Sequence, residues 1–131
     1  MANSLIMPKQ DIRPFIQEGL KKLDQNEYQA SLETFEKARG VNPEHPVPYF
    51  FISLIHLILN QIPELQEILQ QGIEKDPENN LGKNLQALLK FREGKPEDGL
   101  ALLKKTGMAE HPWIQALFLY EIEKAFMSEP Q

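Results

Sequence analysis

"EKARGVNPEHP" spans residues 36–46. A helix-like run meets Gly40, then Asn42 and Pro43, and Pro46 follows at once. "QGIEKDPENN", residues 71–80, makes similar moves around Pro77. From Pro43 to Pro77 is a 34-residue step. A shared spacing of that size suggests a chain measured out in equal units. Punctuation along the rest of the chain agrees. Pro46, Pro63, Pro96 and Pro112 stand where first-turn prolines belong, since the N–H they lack has no intrahelical partner there. Asp11 reads as the cap of a helix near 11–24. Asn26 with Gln29 reads as a capping box that opens a helix over about 26–39, stopped by Gly40, Asn42 and Pro43. Further helices read at about 46–59, 62–75, 80–92, 96–105 and 112–127, with Asp76-Pro77, Gly94 and Gly107 as stops. No stretch alternates with period two long enough for a strand. Seven short-looped helices make an all-α chain of antiparallel hairpins.

Composition bounds the function. The chain has 131 residues, enough for one domain with a core; 41 % are hydrophobic and 25 % charged. Its net charge of −5 has no basic face with which to neutralise phosphates, so nucleic acid is not an expected partner. With no cysteine, disulfides, thiolate metal sites and cysteine nucleophiles are excluded. "MANSLIMPKQDIRP" has neither the basic start nor the apolar core of a signal peptide. "VPYFFISLIHLIL", residues 47–59, is too short to span a bilayer, which takes about 20 residues. The expectation is a cytoplasmic protein without membrane insertion.

The windows 12–45, 46–79 and 80–113 each hold two helices and a tight turn. Their first helices carry Phe15, Tyr49 and Lys83 at one position, and the small residues Gly19, Ser53 and Ala87 four later. In the second helices a small–large–small set recurs: Ser31, Phe35, Ala38; then Leu65, Leu69, Gly72; then Gly99, Leu103, Thr106. Leu65 breaks the set once, Lys83 replaces the aromatic, and the third closing proline shifts to Pro112. "NEYQASLETFEKARGVNP" and "GKPEDGLALLKK" read as second helices with their turns. Period and pattern resemble the tetratricopeptide repeat family over residues 12–113, with 112–127 as an added C-terminal helix.

That resemblance implies a superhelix whose first helices line a concave groove for a partner's helix or an apolar peptide, as in adaptors and small chaperones. Carried over, the groove residues are Ile16 and Leu20; Val47, Phe50, Leu54, Leu57 and Ile58; and Asn84, Leu88, Phe91 and Arg92. Asn84 and Arg92 alone do not make the carboxylate clamp of chaperone-binding members. On this reading Phe50→Asp or Leu54→Asp removes partner capture from a protein that stays folded.

Two features depart from a plain solenoid. Helix 46–59 is apolar nearly all round, either because both faces are buried or because the groove is an apolar binding surface. "WIQALFLYEIEKAF" also has a wide apolar face. It either folds back on the third repeat and the groove, or offers Trp113, Phe118, Ile122 and Phe126 to a partner or a second copy in a homodimer. No HExxH, GxSxG or phosphate-binding glycine loop is present, and His45, His56 and His111 are scattered. Carboxylates such as Glu64, Glu97 and Asp98 suit first helical turns. No enzyme, cofactor or metal site is expected.

Overall fold

The computed structural model describes residues 11–127. Residues 1–10, on which most of the signal-peptide reading rests, and 128–131 lie outside the described residues. The chain is all-α, with no strand among the described residues. The helices are α1 (Arg13–Asp24), α2 (Tyr28–Val41), α3 (Val47–Ile58), α4 (Ile62–Lys75), α5 (Asn80–Arg92), α6 (Pro96–Thr106) and α7 (Pro112–Ile122), and α7 runs into a π-helical turn, Glu123–Met127. Contacts divide the chain into two compact units, Met1–Lys75 and Asp76–Gln131.

The sequence period is repeated in the backbone turns. Asn26, Asn60 and Gly94, each one period after the last, all have positive φ: 62°, 58° and 79°. Each closes the first helix of a hairpin with the same pair of hydrogen bonds. The Asn26, Asn60 and Gly94 amides donate to the carbonyls of Leu23, Leu57 and Phe91 at 2.9, 3.0 and 3.1 Å. The next amides, of Glu27, Gln61 and Lys95, reach back to Lys22, His56 and Lys90 at 2.9, 2.8 and 2.9 Å. This is the Schellman arrangement, in which a left-handed residue lets the chain turn back over the helix end and satisfies its last carbonyls. Glycine and asparagine occupy the site because they tolerate that conformation best. Asn26 is therefore the C-terminal turn of α1 and not the capping box read from its spacing to Gln29. Its side chain accepts a hydrogen bond from the Tyr28 hydroxyl at 3.1 Å. Nor does Gly40 stop α2, which continues through it to Val41. Asp11 does act at the start of α1, where its Oδ1 accepts from the Arg13 amide at 3.1 Å. The Arg13 guanidinium bonds the same carboxylate and lowers its pKa to about 2.

Within each hairpin a glycine meets an aromatic ring. A Cβ at Gly19 would lie 2.5 Å from the Phe35 ring; one at Gly72, 2.9 Å from Phe50; one at Gly99, 2.7 Å from Phe91. No real Cβ fits at those distances, so glycine is what lets the paired helices approach. Hydrogen bonds add to the closure. Ser31 Oγ donates to the Gly19 carbonyl at 2.7 Å, fully buried, and Lys22 Nζ donates to Thr34 Oγ1 at 3.0 Å.

In the first unit α2 also packs on α3, through the stacked rings of Phe35 and Phe51, 5.0 Å apart and 13° from parallel. Tyr49 ties α3 to the preceding loop by donating its hydroxyl to the Pro43 carbonyl at 2.7 Å, with Arg39 and Lys75 over its ring. Tyr49, Phe50, Ile52, Leu54, Ile55 and Leu57 of α3 are all buried. That burial accounts for a helix apolar nearly all round.

Candidate interaction surface

In the second unit the segment after α6 lies across α5. Asn84, 1 % exposed, bonds the α6–α7 linker on both sides of its amide. Its Nδ2 donates to the Gly107 carbonyl at 3.0 Å, and its Oδ1 accepts from the Ala109 amide at 3.0 Å. α7 then packs on α5. Ile114, Phe118 and Glu121 form the inward stripe of α7 at helical spacing. Phe118 meets Phe91 edge to face at 6.3 Å, and Glu121, 1 % exposed, is paired with Arg92. Phe126 meets the same Phe91 ring from the π-helical turn, 6.5 Å away.

The groove residues carried onto the third window are therefore occupied by the chain itself. Asn84 is a linker clamp, Phe91 is covered by aromatics, Arg92 is the partner of a carboxylate, and Leu88 is fully buried. Of the two fates read for the last helix, folding back is the observed one in this unit. Burial of Ile114 and Phe118, with the Phe118 ring on Phe91, holds it there, and Glu121 is accommodated in the same contact by Arg92. Asn84→Leu leaves the Gly107 carbonyl and the Ala109 amide without their buried partner, at a cost of about 2 kcal/mol. Thermal denaturation monitored by the emission of Trp113, the one tryptophan, measures it.

In the first unit the carried-over positions divide. Phe50, Leu54 and Leu57 are buried and belong to the core, because α3 packs against both α2 and α4. Ile16, Leu20, Val47 and Ile58 are half-buried. Ile16 and Val47 share a hollow of about 270 Å³ with Ile12, Arg13, Gln17 and His45.

The face read as a dimer surface also needs correcting. Phe118 points inward and is fully buried, while Trp113 and Ile122 are half-buried. Of that set Phe126 alone is an exposed side chain, at 43 %. The side chains that do face outward are Leu119, 68 % exposed, Tyr120, 56 %, and Met127, 69 %. Tyr120, Glu123, Lys124 and Met127 line a hollow of about 310 Å³. Lys124 Nζ stands 4.9 Å above the Tyr120 ring and 3.4 Å from Glu121 Oε1.

No protein-family model and no curated protein matches this chain.

The histidines have structural partners. His45 Nδ1 accepts from the Val47 amide at 3.2 Å, and His56 Nδ1 is 2.7 Å from Gln61 Oε1. His111 is the residue that starts α7. Among the described residues no three of His, Asp and Glu gather as a metal site, and no helix is long and apolar enough to cross a membrane. A polar hollow of about 430 Å³ lies between α5 and α6. There Lys83 bonds Glu78 at 2.8 Å, and that bond, with Lys105 nearby, holds the Glu78 carboxyl below the usual range.

Sequence reasoning missed Leu119 and Met127 on the outer face and Glu121 on the inner one. A signal for the last was present, since Glu121 is the one charged residue in "PWIQALFLYEI". An acid in such a run costs several kcal/mol to bury unless a cation meets it.

Proposed function

We propose that this chain is a non-catalytic protein-interaction module of tetratricopeptide type, a cytoplasmic adaptor or small chaperone. It takes up an apolar helix or peptide of a partner chain on the outward face of α7 and the π-helical turn. The observation that carries this reading is the exposed row Leu119, Tyr120, Phe126 and Met127. A helix that only covers the end of a solenoid keeps its outer face polar. This one carries large apolar side chains on both faces, and exposed apolar surface gathered in one place marks interaction sites. Its repeat-type reading is supported by the 34-residue recurrence of Asn26, Asn60 and Gly94 and by the glycine-on-aromatic contacts of the hairpins.

Leu119→Asp tests the reading. The side chain is two-thirds exposed, so the substitution leaves the melting temperature within about 2 °C of wild type. Capture of the partner by the immobilised full-length chain is lost. Equal capture by the two proteins contradicts the assignment. A second reading places the partner's side chain in the hollow that Ile16 and Val47 share. It is favoured if Ile16→Asp, and not Leu119→Asp, removes capture.

A further inference from the structure

Resting on that reading of the α7 face, we infer that the occupant of the face is a second copy of this chain. The two helices pair antiparallel about a two-fold axis passing between Glu123 and Lys124.

The face is self-complementary. A two-fold contact uses the same patch on both copies, so a residue before the axis meets the residue equally far beyond it. Tyr120, Glu123, Lys124 and Met127 line one hollow, at the spacing of a single helix stripe. About an axis between Glu123 and Lys124, Glu123 faces Lys124 of the second copy, and Lys124 faces its Glu123. Tyr120 faces Met127 of the second copy, and Met127 faces its Tyr120. The apolar contact is a sulfur on an aromatic ring, and the two-fold axis makes it twice, as it does the charge pair. The exposed Leu119 and Phe126 flank this centre.

Other arrangements of the same stripe are worse. Parallel pairing sets Glu123 against Glu123 and Lys124 against Lys124, which repel. An antiparallel pair centred on Leu119 and Tyr120 places the two charges opposite Ala116 and Gln115, where neither finds an opposite charge. Lys124 is also already in place, with its ammonium held over Tyr120 and its side chain 53 % exposed.

One helix pair buries less than a standard interface of about 800 Å² per partner, so the dimer is weak, with a dissociation constant on the order of 10 µM. Sedimentation equilibrium of the full chain from about 1 to 300 µM then shows monomer and dimer in exchange. Glu123→Lys and Lys124→Glu each raise the dissociation constant about tenfold, because each replaces two attractive contacts with two repulsive ones. Mixed in equal amounts, the two variants recover wild-type association, as every Lys then faces a Glu. Tyr120→Asp, which removes both the ring that Met127 of the second copy meets and the ring beneath Lys124, abolishes the dimer. Melting curves of all variants are recorded, since Lys124→Glu also loses its contact with Glu121. The pairing is overturned if the wild type is monomeric throughout, or if the mixture associates no better than either variant alone. A monomeric wild type whose capture of another protein is lost with Leu119→Asp overturns the pairing and leaves the functional reading standing. That reading falls if Leu119→Asp alters neither association nor capture.

Discussion

Phe50→Asp unfolds the first helical unit. Phe50 is 1 % exposed, and its ring lies against Gly72 of α4. Truncating a buried phenylalanine costs about 3–5 kcal/mol through lost transfer and the cavity left behind. A carboxylate buried at the same point is desolvated, which adds several kcal/mol. Together these reach the whole stability of a typical domain, about 5–15 kcal/mol. Circular dichroism should show the loss of much of the helical signal at room temperature. The same substitution at Leu119 leaves the helices intact. If Phe50→Asp instead melts like the wild type, the residue lines an open groove and α3 is not a core helix.

Glu121→Ala loosens α7 from α5. Breaking a buried pair leaves its other charge stranded, at about 3–5 kcal/mol. Arg92 keeps some solvent contact, with a side chain 15 % exposed, which favours the lower end, about 3 kcal/mol. At a few degrees per kcal/mol for a chain of this size, the melting temperature falls by roughly 10 °C. Trp113, half-buried at the start of α7, shifts its emission to the red as the helix loosens. The control is the double variant Arg92→Met, Glu121→Leu. Replacing a buried pair with apolar side chains of similar volume is often neutral or stabilising, so this variant should melt within about 1 kcal/mol of wild type. A double variant as unstable as Glu121→Ala would show that the cost lies elsewhere than in the stranded guanidinium.

The hairpins were legible because local rules determine them. First-turn prolines, the small–large–small residues and the 34-residue spacing are properties of neighbours in sequence, and the helix limits follow them to within a few residues. Asn26 was misread because asparagine serves both at helix starts and in left-handed turns. Its equivalence to Asn60 and Gly94, one and two periods further on, would have decided between them. Exposure was much less legible. Phe50 and Leu54 are apolar whether a groove or the core receives them, and nothing local distinguishes the two. The docking of the last helix brings Phe118 onto Phe91, Glu121 to Arg92, and the linker at Gly107 and Ala109 to Asn84. Those are long-range pairings that periodicity does not encode. Once the inner stripe of α7 is known, the outer face follows from helix geometry alone.

The most direct test of that outer face is site-specific photo-crosslinking in living cells. A photoreactive phenylalanine analogue replaces Tyr120 in one chain and Ile16 in another. An interaction surface on the outside of α7 predicts a covalent adduct from position 120 that disappears when Leu119→Asp is added, and little from position 16. An adduct from position 16 with none from position 120 would contradict it.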